Sequence, residues 1–472
     1  MRSVYFLFLM VASLVASAQS ESTSVSISRG NSKTTYRNSN GLNSFDIEIR
    51  GTIEVSDDDR DISNMSHDGY FEVTKTSFGS RRSIKITREG SVLIKRYYEG
   101  RTEVNFDPEG RKWLAEVLPE VVRTTTIAAE SRVNRFYSKG GTQAVLAEID
   151  VIKSDHVKTH YAKLLMKKPV LEKDYPAIVS KVTGNMNSDH YITEFLQENM
   201  DKLLRNKDAA EAVFATTNKM GSDHYKTQII KEALRVQPAS LEAVKVALAS
   251  ASKINSDHYK TEVLTSLMRQ DNLTDAIVAE MINTSKSIHS DHYRTVVLTK
   301  ALDRNLSATS HQRAVESVKD INSDHYKAQV IKSMLNKSID EKVLSELLPV
   351  TSSINSDHYR TEVLTSMLDR QDFSDATFKQ LVEYGGDMGS DHYKTVVFKN
   401  ALDESDLSEA KVIAIINAAK NINSDHYLTE VLTHAATRVR NGSDALKNAY
   451  RDAARKIGSE TYYGRAMRAL DR

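Results

Sequence analysis

The chain has 472 residues, enough for two or three compact units, and 40% of them are apolar, as in a soluble protein. Its 64 Lys and Arg residues balance 63 Asp and Glu residues, which argues against a protein dedicated to nucleic acid or to an anionic membrane surface. The absence of cysteine excludes disulfides, thiolate catalysis, cysteine-ligated zinc and iron–sulfur clusters.

Residues 1–18 have the pattern of a secretory signal peptide. Arg2 precedes an apolar run from Val4 to Val15 that is too short to span a membrane, and Ala16 to Ala18 form a small-residue cleavage site. We predict cleavage after Ala18 and a secreted or periplasmic mature chain. Because no cysteine follows this run and no later apolar run is long enough to span a bilayer, we predict neither a lipid anchor nor a membrane span.

The next part of the chain predicts a small β-domain. Residues 19–43 are rich in Ser, Thr and Asn, which favours a flexible lead-in with room for one edge strand. From Phe45 to Val55 apolar and polar residues alternate around Gly51, and short alternating runs continue to Phe106. This pattern predicts an antiparallel β-domain over residues 44–106. Because the domain is small for independent stability, we expect it to pack on the segment after it in the chain.

Connecting helices are predicted over residues 107–141. Asp107 is placed to cap a helix with Pro108 at its first position. A second helix is predicted from about Pro119 to Ser138. It would stop at Gly140 and Gly141, where glycine ends helices.

Nine copies of Ser-Asp-His-Tyr, or a one-residue variant, then recur every 33 or 34 residues. After each copy an apolar stripe runs at helical spacing, as from Tyr259 to Leu267, and a second stripe follows a cap such as Thr274. A fixed period of this length indicates stacked units that cannot bury their faces alone. We predict a mainly α chain: an α-solenoid of about ten 34-residue helical hairpins, similar to HEAT or TPR repeats, over residues 142–456. Residues 457–472 lack the motif His and are predicted to form a capping helix.

Three motif residues have sufficient structural roles, and the histidine does not. Ser is a preferred helix cap, Asp suits the positive end of the helix dipole, and Tyr heads the apolar stripe. The histidine could pack on the next repeat in a ladder, bind metal together with Asp, or form a pH-responsive row. Packing is favoured because every copy meets the same neighbour, whereas equivalent histidines lie about a helix spacing apart, too far to share one ion. The motif histidines are His156, His190, His224, His258, His292, His325, His358, His392 and His426.

The residue after the motif Tyr is basic in most copies. A stripe of basic tips beside helix N-termini could receive an acidic partner or phosphate. A solvated, charge-balanced edge is the favoured interpretation, because the motif Asp is close and Glu often follows three residues after Tyr. The candidate stripe consists of Lys226, Lys260, Arg294, Lys327, Arg360 and Lys394.

No catalytic, cofactor-binding or metal-ligating residues are predicted. Consecutive Ser, Asp and His at a helix start point in different directions, so they cannot form the aligned hydrogen bonds of a catalytic triad. The chain also lacks H-E-x-x-H, a Walker loop, G-x-S-x-G and a dinucleotide glycine fingerprint. We therefore predict a protein that is not an enzyme and uses no cofactor.

The repeated motif, the segment Phe106 to Leu114 and the segment Lys139 to Gly141 resemble secreted bacterial HEAT-like repeat proteins of uncharacterised role. Related segments are appended, outside the membrane, to zinc metallopeptidases of the β-lactam-sensor class. The resemblance covers nearly all of the mature chain and implies an extracytoplasmic repeat module. It carries no peptidase activity, because the zinc motif and the membrane spans of those enzymes are missing here.

The sequence thus predicts a non-catalytic extracytoplasmic scaffold or protein–protein interaction module. Its partner would be a protein of unknown identity, not nucleic acid. The alternatives are a module that binds envelope polysaccharide or peptide, and a metal- or pH-responsive array of His and Asp residues.

Overall fold

The structure is a computed structural model, and it describes residues 22–28, 33–39, 43–236, 241–271, 273–405 and 407–471. The chain forms two compact units, Met1–Asn199 and Met200–Arg472. The predicted signal peptide, residues 1–18, lies outside the described residues.

The first unit begins with a seven-stranded antiparallel sheet in the order β1-β2-β3-β6-β7-β8-β9, and a separate hairpin, β4-β5, lies between β3 and β6 in the chain. Gly51 has φ 68° at the bend between β3 and β4, as the alternation pattern predicts, and a Cβ there would lie 2.2 Å from Ser66 Oγ. The strands are β1 (Ser22–Ser28), β2 (Lys33–Ser39), β3 (Asn43–Arg50), β4 (Ile53–Val55), β5 (Ile62–Met65), β6 (Tyr70–Ser77), β7 (Ser80–Glu89), β8 (Val92–Glu99) and β9 (Thr102–Val104).

The segment predicted as a flexible lead-in differs from the expectation, because it contributes two strands, β1 and β2. Thr34, Thr35 and Tyr36 favour the extended backbone, and a strand near the edge of a sheet needs only one partly buried face. Tyr36 lies opposite Ile47 on β3, and its ring centroid is 6.2 Å from that of Phe45. The polar composition of the segment did not indicate this contact between Tyr36 and the neighbouring strand.

The sheet packs on the first long helix, α1 (Arg111–Thr124), which comes after a short turn at Phe106–Gly110. The Trp113 ring lies 5.9 Å from that of Tyr97, and Leu114 and Val117 are buried in the same core as the strands. The expectation that the small sheet packs on the next segment of the chain is thus confirmed. The predicted start of a second helix at Pro119 is wrong. Pro119 lies inside α1, and the helical backbone is interrupted only at residues 125–128.

Four more helices begin in the first unit. They are α2 (Ala129–Val151), α3 (Asp155–Met166), α4 (Tyr175–Gly184) and α5 (Asp189–Leu203), whose last turn belongs to the second unit. Non-helical backbone at Gly140 and Gly141, the latter with φ 60°, divides α2 where the sequence predicts a helix end.

The second unit continues as tandem hairpins. Its helices are α6 (Lys207–Lys219), α7 (Asp223–Val236), α8 (Leu241–Ser252), α9 (Asp257–Leu267), α10 (Asp275–Ser285), α11 (Asp291–Leu302), α12 (Ala308–Lys319), α13 (Asp324–Met334), α14 (Glu341–Ser352), α15 (Asp357–Arg370), α16 (Asp375–Gly386), α17 (Asp391–Asp403), α18 (Glu409–Ala419), α19 (Asp425–Val439), α20 (Asp444–Ala454) and α21 (Glu460–Asp471). The predicted fold class, tandem helical hairpins preceded by an antiparallel β-domain, is confirmed.

The helices of the second unit form two layers. Each odd-numbered helix packs against the next odd-numbered one, and each even-numbered helix packs against the next even-numbered one. We call the odd-numbered helices from α3 to α21 the A helices and the even-numbered helices from α4 to α20 the B helices. Val263 and Leu264 of an A helix and Ile277 and Val278 of the following B helix are fully buried, as the two apolar stripes predict. None of the described helices is both long and apolar enough to cross a bilayer.

Candidate functional site: the repeated helix starts

The motif aspartate is the first residue of its A helix, and its carboxylate accepts hydrogen bonds from the backbone of the next repeat. Asp257 Oδ2 accepts the N–H groups of His289 at 3.1 Å and Ser290 at 2.7 Å. The carboxylate therefore joins neighbouring repeats as well as facing the positive end of its own helix. The same link to the next motif Ser is made by Asp155, Asp223, Asp291, Asp324, Asp357, Asp391 and Asp425.

These contacts change the acidity of the carboxyl groups. Partial burial alone would raise the pKa of Asp223, but the N–H groups of Ser256 and Asn255, with Lys226, hold that pKa below its usual value. Asp391 has a lowered pKa through the same balance of burial against donors. The anionic form is thus the one that the stack of repeats stabilises.

The motif serine lies at the helix cap position, but its hydroxyl is not the cap in most copies. Ser256 and Ser290 have the extended backbone of a capping residue, yet neither side chain accepts a hydrogen bond from its helix. Ser154 does accept the Val157 N–H, at 3.5 Å. The group of the serine that joins neighbouring repeats is therefore its backbone N–H, which donates to the motif Asp of the preceding repeat.

The motif histidines and tyrosines form a ladder of rings. In the second unit each histidine ring lies 5.1–5.3 Å from the tyrosine of its own repeat and 5.4–6.2 Å from the tyrosine of the next, with edge-on or tilted planes. The ladder ends at Tyr462, which follows the missing histidine of the last copy. In the first unit His156 lies 5.7 Å from Tyr191 in the same way, and His190 lies 5.1 Å from Tyr191. This is the geometry expected of the packing interpretation.

The residues of the candidate basic stripe are buried, whereas both interpretations of the stripe assumed exposed side chains. Lys226, Lys260, Arg294, Lys327, Arg360 and Lys394 are only 5–8% exposed. Lys260, Arg294 and Lys394 fold inward because carbonyl groups at the end of a B helix lack helical partners and accept their N–H groups. Lys260 Nζ donates to the Ser287 carbonyl at 2.6 Å, and Arg294 Nη2 donates to the Ile288 carbonyl at 2.7 Å. A cation used in this way cannot reach an external phosphate.

A second set of links between repeats, in the B layer, was missed by the sequence reasoning. Asp275 at the start of α10 accepts the N–H of Ser307, the cap of α12, at 3.0 Å and its hydroxyl at 2.7 Å. Glu409 of α18 likewise accepts the N–H of Ser443 at 3.0 Å. The signal was an acid directly after a cap, followed 32 to 34 residues later by another cap Ser. The variable B helices obscured it.

The first unit holds a buried ionic cluster that the sequence did not indicate. Arg132, with no exposed surface, donates to Asp59 Oδ2 at 2.7 Å and to Glu148 Oε1 at 2.8 Å. Burial would raise the pKa of Asp59, but Arg132 and Arg135 hold it below its usual value. Burial likewise raises the pKa of Tyr161, which contacts Arg132, to about 12. The cluster joins the β4–β5 turn to α2 and α3.

Metal-binding geometry is absent from the described part of the chain, where no group of three or more His, Asp or Glu residues is placed to hold an ion. Two motif histidines instead face a carboxylate one turn later: His358 Nε2 lies 3.5 Å from Glu362, and His426 Nε2 lies 3.3 Å from Glu430. A pair of this kind offers fewer ligands than zinc requires.

Comparison with known proteins leaves the chain without an assigned family. No protein-family model matches it, and no curated protein matches it significantly. Among solved structures it matches a computationally designed self-assembling cyclic homooligomer, with 10% identity, 67% of this chain and 98% of that chain covered, and a TM-score of 0.12. It also matches a circular tandem repeat protein with a novel repeat topology and enhanced subunit contact surfaces, with 13% identity, 77% and 78% coverage, and a TM-score of 0.14. TM-scores this low do not establish a shared fold with either protein.

Proposed function

We propose that this chain is a non-catalytic, cofactor-free repeat scaffold that binds a protein partner outside the cytoplasm. The observation that carries the proposal is the engagement of the motif's charged groups by the stack itself. Asp257 accepts two backbone N–H groups of the next repeat, and Lys260 is bound to a carbonyl. Groups occupied in this way are poor nucleophiles or proton carriers, whereas they are well suited to holding a surface in shape.

The proposed binding surface is the exposed side of the B helices. The A helices repeat one motif, but the B helices expose different side chains, such as Val246 on α8, Arg313 on α12 and Lys379 on α16. A regular frame that presents a varied surface is how helical repeat proteins recognise partners.

The proposed location is the periplasm or the exterior of the cell. It is supported by the signal-peptide pattern of residues 1–18 and by the resemblance to secreted bacterial HEAT-like proteins. Mass spectrometry of the protein from fractionated cells tests it: a chain beginning at Gln19 outside the cytoplasm is expected, and an unprocessed cytoplasmic chain would contradict it.

Binding is tested by immobilising residues 19–472, capturing from an envelope extract, and repeating the interaction with the captured protein purified. A stoichiometric complex is expected. Lys245→Glu with Lys379→Glu, on the B helices, should weaken it by about tenfold or more. Arg269→Glu with Lys300→Glu, the matched charge change at exposed residues just after α9 and on α11, should not. Failure to obtain any stoichiometric complex, or equal weakening by both pairs, would reject the proposal.

A further inference from the structure

The seven-stranded sheet of the first unit ends in two unlike edges. At one edge β9 has only three residues, one of them Glu103, and a short charged edge strand resists pairing with another chain. At the other edge β1 has seven residues, with no charged residue, no proline and no break in its register with β2. Among the described strands none pairs with the outer side of β1. The backbone N–H and C=O groups on that side can therefore receive a further strand.

Residues of β1 alternate between the two faces of the sheet. Val25 lies opposite Tyr36 on β2, and Tyr36 lies opposite Ile47, a buried residue of the sheet core. Thr23 and Ile27 share this face, so the three β-branched residues of β1 extend the core face to the edge of the sheet. The residues of β1 on the other face are Ser22, Ser24, Ser26 and Ser28.

The sequence of β1, Ser-Thr-Ser-Val-Ser-Ile-Ser, is nearly symmetric about Val25. When an identical strand lies antiparallel to it with Val25 opposite Val25, every serine faces a serine and Thr23 faces Ile27. Both faces then match, as a contact between identical chains across a twofold axis requires. The flanking charges in the sequence favour the same direction. Glu21 precedes the strand and Arg29 follows it, so an antiparallel copy brings opposite charges to each end, and a parallel copy brings like charges.

We propose that β1 pairs with β1 of a second copy of this chain, antiparallel and with Val25 at the twofold axis. Backbone hydrogen bonds supply the attraction, and the matching faces set the register. Because the contact is one short strand, the dimer should be weak and depend on concentration. This surface is separate from the B-helix surface proposed to bind a protein partner. A dimer presents that surface twice and so would hold a partner with two sites more tightly.

The test is analytical ultracentrifugation of residues 19–472 without an N-terminal tag. A species of twice the chain mass is expected, and its share should grow between about 1 and 300 μM. A chain that stays monomeric up to about 300 μM overturns the proposal and leaves the edge to a strand of a different protein.

Two double substitutions test the register, because Ser24 of one copy faces Ser26 of the other. Ser24→Lys with Ser26→Lys places like charges across the axis and should weaken dimerisation by about tenfold or more. Ser24→Glu with Ser26→Lys is the matched control. It places opposite charges there and should dimerise at least as tightly as the wild type. Equal dimerisation of the two variants would overturn the site.

A mixing experiment separates the contact between copies from the attachment of β1 to its own sheet. Arg37 lies opposite Ser24 on β2, so the double lysine variant also risks loosening β1. Ser24→Glu with Ser26→Glu should be as weakly associated as the double lysine variant when each is alone. An equal mixture of the two should dimerise, because every facing pair then has opposite charges. If the wild type dimerises and the mixture stays monomeric, this pairing is overturned.

Discussion

Lys231 Nζ lies 2.6 Å from Glu262 Oε1 across the boundary between two repeats. The same pairing recurs where Lys163 faces Glu194 and Lys332 faces Glu362. At the step after Glu262 the corresponding residues are Thr265 and Val296, so the charged pair is replaced on both sides at once. Lys and Glu thus occur together at a boundary or are both absent from it.

Reversing only one charge of such a pair should destabilise the chain. We expect Lys231→Glu and Glu262→Lys each to lower the free energy of unfolding, and the double variant to recover about 0.2–1 kcal/mol. The figure is small because the two side chains are 35% and 40% exposed, so solvent screens them. Urea unfolding at low and high salt measures the coupling, and an absence of coupling at low salt would contradict it.

Removing a motif carboxylate should loosen one repeat boundary. Asp291 Oδ2 accepts the N–H groups of Asn322 at 3.1 Å and Ser323 at 2.8 Å. Asp291→Ala leaves these donors unpaired and should cost about 1–3 kcal/mol. Hydrogen exchange should quicken at the two amides. Asp320→Ala, at an exposed aspartate, is the control, and equal effects of the two variants would show that the link is unimportant.

Acid should destabilise the stack through the same carboxylates. The pKa of Asp223, Asp257 and Asp391 is lower in the folded chain, so their contribution is fully present above the unfolded value of about 3.9. It is lost as the pH falls through the lower folded pKa. Urea unfolding from neutral pH to about pH 2.5 should show a steep loss below about pH 4. Asp391→Asn should flatten that loss, and constant stability over this range would refute the expectation.

The buried lysines should matter for stability. Lys260→Met keeps the apolar stem but removes the donor to the Ser287 carbonyl, which should cost about 1–3 kcal/mol. Lys260→Arg should cost less, because Arg294 and Arg360 occupy the equivalent position. Lys253→Met, at an exposed lysine, should be nearly neutral. Thermal melting compares the three, and a neutral Lys260→Met would mean that the bond contributes little.

The ionic cluster of the first unit should be critical for attachment of the β4–β5 turn. Arg132→Met leaves Asp59 and Glu148 buried with fewer cations, at a cost of about 3–5 kcal/mol. Trp113 is the single tryptophan and lies in the core of the sheet, so its fluorescence reports the change. Adding Asp59→Asn should recover part of the loss, and a fully stable Arg132→Met would show that the cluster is dispensable.

Much of the fold could be predicted because the repeat period and the local helix-start and glycine signals indicate the same element boundaries. The motif spacing placed the starts of the A helices at residues such as Asp257 and Asp391, and glycine marked the breaks at Gly51 and Gly141. The tandem hairpins arise from stripes that need a neighbour.

The site contacts were harder to predict because they join residues one repeat apart. The sequence shows Lys260 near Asp257, but not that its stem turns inward to a carbonyl of residue 287. A long flexible cation can point to solvent or fold over an apolar surface, and only the neighbouring helix end decides which. Arg132 was missed for a similar reason, since Asp59 lies 73 residues earlier.

The Asp-to-Ser bond has a consequence for how such a chain can grow. Each repeat carries one acceptor for its successor and one donor for its predecessor, as Asp425 and Ser459 do at the last boundary. Duplication or loss of a whole repeat therefore restores the same bond at the new junction and leaves no amide unpaired. Change by complete units is structurally neutral at this position, whereas an insertion of any other length separates the pair.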